Sequence, residues 1–209
     1  MLKLKTPFEC LAHLLAVWCY FHQTTLAEAQ QPFQTIIGDG YAIEVPYDWI
    51  EQPSPSYLGH QTRIFSQSGK KRGGGGGCSI QIAPILKDLT PRTGAMTGEE
   101  RRALIVDSDW GLDIWKYILT NLPAARNLEI INDVPIAVSL PLIPARQLDY
   151  KADKPQGIYY YHRVIYSLTE TKQIVLNCMG IGLNRSEADD SFSKNLHVFM
   201  HVQNTLRIK

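Results

Sequence analysis

One stretch constrains this chain more than any other: Ile158 to Gly180, IYYYHRVIYSLTETKQIVLNCMG. Two runs rich in aromatic and β-branched residues flank the polar tip Thr169-Glu170-Thr171-Lys172, which is the composition of a β-hairpin. In the first run Ile158, Tyr160, Val164, Tyr166 and Leu168 share the even positions, with His162 the exception; in the second, Ile174, Leu176 and Cys178 do. Directly opposed residues of an antiparallel pair share a face, so a single core beneath both sets requires even to oppose even. That register needs an odd loop of three or five residues and disfavours a two-residue turn. The hairpin supplies a core face but no chemistry of its own.

The N-terminus sets the compartment. Lys3 and Lys5 precede an apolar run from Leu11 to Phe21, and Ala27-Glu28-Ala29 follows. A basic start, a short hydrophobic stretch and A-x-A make a secretory signal peptide over residues 1–29, with residues 30–209 as one domain. The run is too short for a bilayer, which needs roughly 20 apolar residues, and bulky Trp18 before Cys19 disfavours lipid attachment. The segment removed carries two lysines and two glutamates, so the net charge stays at +1. That excludes the basic footprint of a nucleic-acid binder, and no stretch after the signal is long and apolar enough to span a membrane. The product is expected in the periplasm or secreted. Two cysteines remain, Cys78 and Cys178, each on the apolar side of an alternating segment; in an oxidising compartment they suggest one disulfide, the alternative being two buried thiols.

Along the chain, Gln30–Gly40 reads as a polar lead-in and Tyr41–Val45 as a strand closed by Pro46 and Trp49. A short strand near Arg63–Ser66 precedes Lys70-Lys71-Arg72, the glycine run Gly73–Gly77 and a strand from Cys78 to Pro84. The run lacks the G-K-[ST] ending of a phosphate loop and leads into a strand, not a helix, so it reads as a hairpin tip. Its three cations, beside glycines with no evident structural use, are the candidate contact for an acidic partner. Thr97-Gly98-Glu99-Glu100 is a capping box opening a helix expected to reach Leu122. Leu128–Val138 reads as strand-like but broken by Pro135, Arg146–Tyr150 as a short strand, and a final helix from about Ser186 to Leu206 carries the stripe Phe192, Leu196, Phe199, Val202 and Leu206.

No constellation of catalytic residues emerges. His197 and His201 have the i,i+4 spacing of zinc ligands, but the residues between them offer no glutamate base, and the helical wheel places both on the solvent side. No metal or cofactor is expected. There is no G-x-S-x-G elbow. Asp48, Asp107, Asp109 and Asp113 form no metal-loop spacing, and His162 reads as a structural histidine among tyrosines.

The order of elements resembles the PsbP-like family. The resemblance rests on Tyr41–Trp49, on Pro144-Ala145-Arg146-Gln147-Leu148-Asp149-Tyr150, and on the hairpin followed by the Ser191–Ile208 helix. It implies an α+β fold, a central antiparallel sheet sandwiched by helices (an α/β/α sandwich), and binding instead of catalysis. Some periplasmic immunity proteins that protect bacteria from type VI secretion effectors look similar. The leading expectation is therefore a non-catalytic module for a protein partner, a toxin or effector included. A carrier or sensor of a small apolar ligand and an unrecognised hydrolase are the alternatives.

Overall fold

In the computed structural model, residues 32–52, 61–67, 75–84, 97–106, 126–138, 142–154, 157–169 and 171–208 are described. The signal peptide, Lys70, Lys71, Arg72 and the expected helix beyond Val106 lie outside them. Phe33–Lys209 cluster as one compact unit.

Strands β1 (Phe33–Gly38), β2 (Tyr41–Pro46) and β10 (Arg207–Ile208) form a three-stranded sheet in the order β1-β2-β10. The lead-in expected to be irregular is thus a strand. Gly40 permits the tight reversal between β1 and β2 because it sits at φ +84°, a region that L side chains rarely occupy. The chain then crosses to a seven-stranded sheet: β3 (Trp49–Gln52), β4 (Gln61–Gln67), β5 (Gly76–Pro84), β6 (Arg126–Val138), β7 (Ile143–Lys154), β8 (Ile158–Leu168) and β9 (Lys172–Gly182). Their order is β3-β4-β5-β9-β8-β7-β6, and every pairing is antiparallel. β6 runs unbroken through Pro135, where a break was expected, because it stands at the edge of the sheet and a missing N–H there costs no ladder bond.

Helix α2 (Arg185–Thr205) packs on β5, β8 and β9 of the large sheet and on β2 of the small one. Its expected stripe is the one it buries: Phe192, Phe199, Val202 and Leu206 are in the core, and Leu196 packs against it. Asn184 caps it, accepting from Glu187 N at 2.9 Å, while Glu187 accepts from Leu183 N and the Asn184 amide. Helix α1 (Gly98–Leu104) starts at the expected box, with Thr97 Oγ1 accepting from Glu100 N and Glu100 accepting from Thr97 N. It ends sooner than expected. A turn at Ile105–Val106 interrupts it, with Ile105 wholly buried and its carbonyl accepting from Arg146.

The hairpin register is the main correction. Leu168 opposes Gln173 and Val164 opposes Asn177, so even faces odd. Thr169 N donates to Lys172 O at 2.8 Å, which leaves only residues 170 and 171 between them. The single-core premise fails because both faces of the sheet are buried. On the α2 face lie Ile165, Ile174, Leu176 and Cys178 with Phe192 and Phe199. On the other lie Val164, Tyr166 and Leu168 of β8 with Leu148, Tyr150 and Ile105. Each strand therefore contributes apolar residues at both parities.

The expected helix sandwich holds only in part. Among the described residues one 21-residue helix covers one face, and the other carries only the seven-residue α1 and Ile105. The fold is sheet-dominated, and among the described residues part of the second face carries no helix.

Candidate binding cleft

On that second face lies a cleft of about 770 Å³. It crosses β4, β5, β9 and β8 on the face away from α2. Register assigns the walls: Ile64 and Ser66 of β4 align through Ser79 and Gly77 of β5 with Asn177 and Met179 of β9, and Met179 opposes His162 of β8. Ile158, Tyr160, Met179 and Ile181 form the apolar side; Ser66, Gln67 and the Tyr160 hydroxyl are its polar groups. All are partly buried, which suits surfaces that a ligand covers.

Gly75, Gly76 and Gly77 complete the lining, and their lack of side chains is structural. A Cβ at Gly76 would lie 2.7 Å from Asn195 Cγ of α2, and one at Gly77 2.9 Å from the Phe65 carbonyl. Gly75 O accepts from Ser191 Oγ at 3.0 Å and from Ile181 N at 3.2 Å. The glycine run is thus not simply a tip: its last two residues open β5 and let α2 approach one face while keeping the other clear.

Cys78 and Cys178 oppose each other across β5 and β9, with sulfurs 2.05 Å apart and Cα atoms 4.0 Å apart. The disulfide locks the two central strands directly behind the cleft, and both residues are buried. Two sets of sequence candidates remain. Lys70, Lys71 and Arg72 belong to the segment joining Gln67 to Gly75 and fall outside the described residues. His197 is exposed, but His201 is not simply solvated: its Nε2 lies 2.8 Å from Glu44 Oε2 and its ring stacks on Phe33 at 3.7 Å. The wheel missed this because the small sheet folds over the flank of α2 that it assigned to water. Among the described residues no three metal-ligating side chains converge.

His162 sits beside the cleft on the same face. Its Nδ1–H donates to Asn177 Oδ1 at 3.1 Å, and its ring stacks with Tyr150 at 4.6 Å and Tyr160 at 5.4 Å. Burial pulls its pKa down to about 4, so it is neutral at pH 7. Burial likewise raises the phenols of Tyr150 and Tyr166. The described lining offers hydroxyls, an amide and apolar walls, a set suited to holding a molecule.

Basic residues on the opposite face are engaged. Arg163 grips Asp149 with two bonds of 2.8 Å, Lys151 pairs with Asp189, and Arg185 reaches Asp153 and Glu129. The Lys151 and Arg185 pairs, with Tyr161 stacked on Phe192 at 3.9 Å, tie α2 to the sheet and leave that face closed.

No protein-family model and no curated protein matches this chain. Among solved structures it is similar to cyanobacterial PsbP (CyanoP) from Synechocystis sp. PCC 6803, with TM-score 0.56 and 16% identity over 88% of this chain and 96% of that one. A second similar structure is LpqN, involved in cell envelope biogenesis of Mycobacterium tuberculosis, with TM-score 0.48 and 13% identity over 85% and 91%. The fold is PsbP-like.

Proposed function

We propose that this protein is an exported, non-catalytic binding module whose site is the cleft over β4, β5, β9 and β8. The observation that carries the reading is an apolar cleft of about 770 Å³ on a sheet cross-linked at its centre. Its volume falls in the range of small-molecule sites, roughly 300–1,000 Å³, and a few polar groups interrupt an apolar lining as such sites require. Export is supported by the basic–apolar–A-x-A leader and by a disulfide of the kind an oxidising compartment sustains. The test is Nile red fluorescence. The dye binds the native protein, and Ile181→Gln and Met179→Gln weaken binding at unchanged unfolding midpoint. A dye that does not bind, or binds both variants as well as the parent, sinks the cleft reading.

A protein partner, with an immunity function as its sharpest form, is the second reading. It is supported by chain connectivity: Lys70, Lys71 and Arg72 are within four residues of Gln67 or Gly75, both in the cleft lining, hence within about 14 Å of extended chain. Cations so tethered favour an acidic surface docking across the cleft mouth.

A further inference from the structure

We propose that the cleft takes an aliphatic chain ending in a carboxylate, with Lys154 holding the anionic head; this rests on the cleft reading above. Lys154 is placed at the rim by two observations. It opposes Ile158, a wall residue, at the β7–β8 pairing, and its Nζ stands 4.8 Å from the ring centroid of Tyr160, another wall residue. Even positions of β7 share the cleft face with even positions of β8, so Lys154 points to the opposite side from Lys151.

That difference in side decides its charge environment. Lys151, Arg163 and Arg185 spend their charges on Asp189, Asp149, Asp153 and Glu129. Lys154 has no carboxylate within ion-pair distance among the described residues, and no described lining residue is acidic. Among the described residues the cleft therefore joins an apolar trough to a cation, Lys154, with no carboxylate partner at its β8 end. His162, also on this face, is neutral at pH 7 and adds no opposing charge.

The trough runs obliquely across the sheet. By register Lys154 opposes Ile158, which lies four residues along β8 from His162, and His162 opposes Met179 of β9. An aliphatic body laid from Lys154 over Tyr160 and Ile181 ends near Met179, two interstrand steps of about 4.8 Å across and roughly 13 Å along the strands, while a carboxylate meets the ammonium, as in charge-assisted hydrogen bonding elsewhere. A cationic head is repelled, and an uncharged one gains nothing from Lys154.

Three probes with one chain length separate the terms: dodecanoate, dodecyltrimethylammonium and dodecyl maltoside, each below its micelle concentration. Binding is read by calorimetry and by the Met179 methyl resonance, which locates it. The expected result is dodecanoate at least tenfold tighter than the other two, with the preference abolished in Lys154→Gln and kept in Lys151→Gln. If all three bind alike and Lys154→Gln changes nothing, the anionic-head inference is overturned while the cleft stands. If none shifts Met179, the cleft reading itself falls and this inference with it.

Discussion

Gly180 of β9 lies against the backbone of Phe192 in α2: a Cβ built on the glycine would stand 2.4 Å from Phe192 N and 2.8 Å from Ala188 O. Neither neighbour is the end of a flexible side chain, so a methyl group there cannot be accommodated by a rotamer change. Gly182 stands in the same relation to Ala188 N, also at 2.4 Å. The two glycines set how closely the helix lies on the sheet, and with it the depth at which Phe192 and Phe199 pack.

Gly180→Ala should therefore lift α2 and destabilise the protein by about 1–3 kcal/mol or more, the usual cost of overpacking. Gly157→Ala is the contrast, since nothing lies within 4 Å and only its φ of +70° opposes the change. Its cost should be about 1–2 kcal/mol, with the helix contacts intact. Urea unfolding measures both, and the Phe192 ring resonances should move only in the first. An unperturbed Gly180→Ala would mean that the helix stands further off than described.

Removing the disulfide should cost more. It closes a sequence separation of 100 residues, and in the chain-entropy account a loop of that size contributes about 4–5 kcal/mol by restricting the unfolded chain. Cys78→Ala/Cys178→Ala should lower the urea midpoint accordingly. Both cysteines are at most 2% exposed, so reductant should act on the native protein only as fast as it opens. Thiol titration of denatured, unreduced protein should find no free thiol from this pair; two would refute the bridge.

Much of this architecture was legible in the sequence where one residue type has one physical use. The Thr97 helix start, the buried stripe of α2, and the inward placement of both cysteines follow from capping chemistry and periodicity, whereas α2 begins at its Asn184 cap, ahead of the expected Ser186. The failures share a cause. Alternation was assigned to one buried face, yet β9 reads Ile174-Val175-Leu176-Asn177-Cys178-Met179, apolar at both parities, the signature of a strand covered on two sides. Reading it so would have corrected the hairpin register and pointed to Met179 and Ile181 as walls. The trough itself was not legible, because its walls come from β4, β8 and β9 and meet only once the non-local strand order is known. The use of Gly76 and Gly77 was hidden likewise, since their close neighbours Asn195 and Phe65 are remote in sequence or on another strand.

If a protein partner covers the cleft mouth, replacing Lys70, Lys71 and Arg72 together by serine should slow its association and flatten the salt dependence of the rate, with little change in dissociation. The substitution should leave stability within about 0.5 kcal/mol of the parent. Stopped-flow or surface-resonance measurements at two ionic strengths read both effects. An on-rate unchanged at low salt would show that these cations take no part.

His162 should make the protein acid-sensitive over a window set by its own titration. An unfolded histidine protonates near pH 6.5, while burial among Tyr150, Tyr160 and Asn177 holds the folded pKa at about 4. Between those values the unfolded chain carries a proton that the folded one does not, so stability falls as pH falls. The contribution is undiminished above pH 6.5, declines toward pH 4 and then levels off, a loss on the order of 3 kcal/mol. Glu51, whose carboxyl is held low chiefly by its bonds to Arg63, acts in the same direction but only below pH 4.5, so the upper part of the window is free of it. His162→Phe preserves the ring stacking but cannot titrate. It leaves the Asn177 oxygen without its donor, a cost of about 1–3 kcal/mol that is constant with pH. Urea midpoints from pH 7 to pH 4.5 should therefore fall more steeply in the parent than in the variant. Parallel slopes, or a His162 ring resonance titrating near pH 6.5 in the folded protein, would place the imidazole in water and not against the tyrosines.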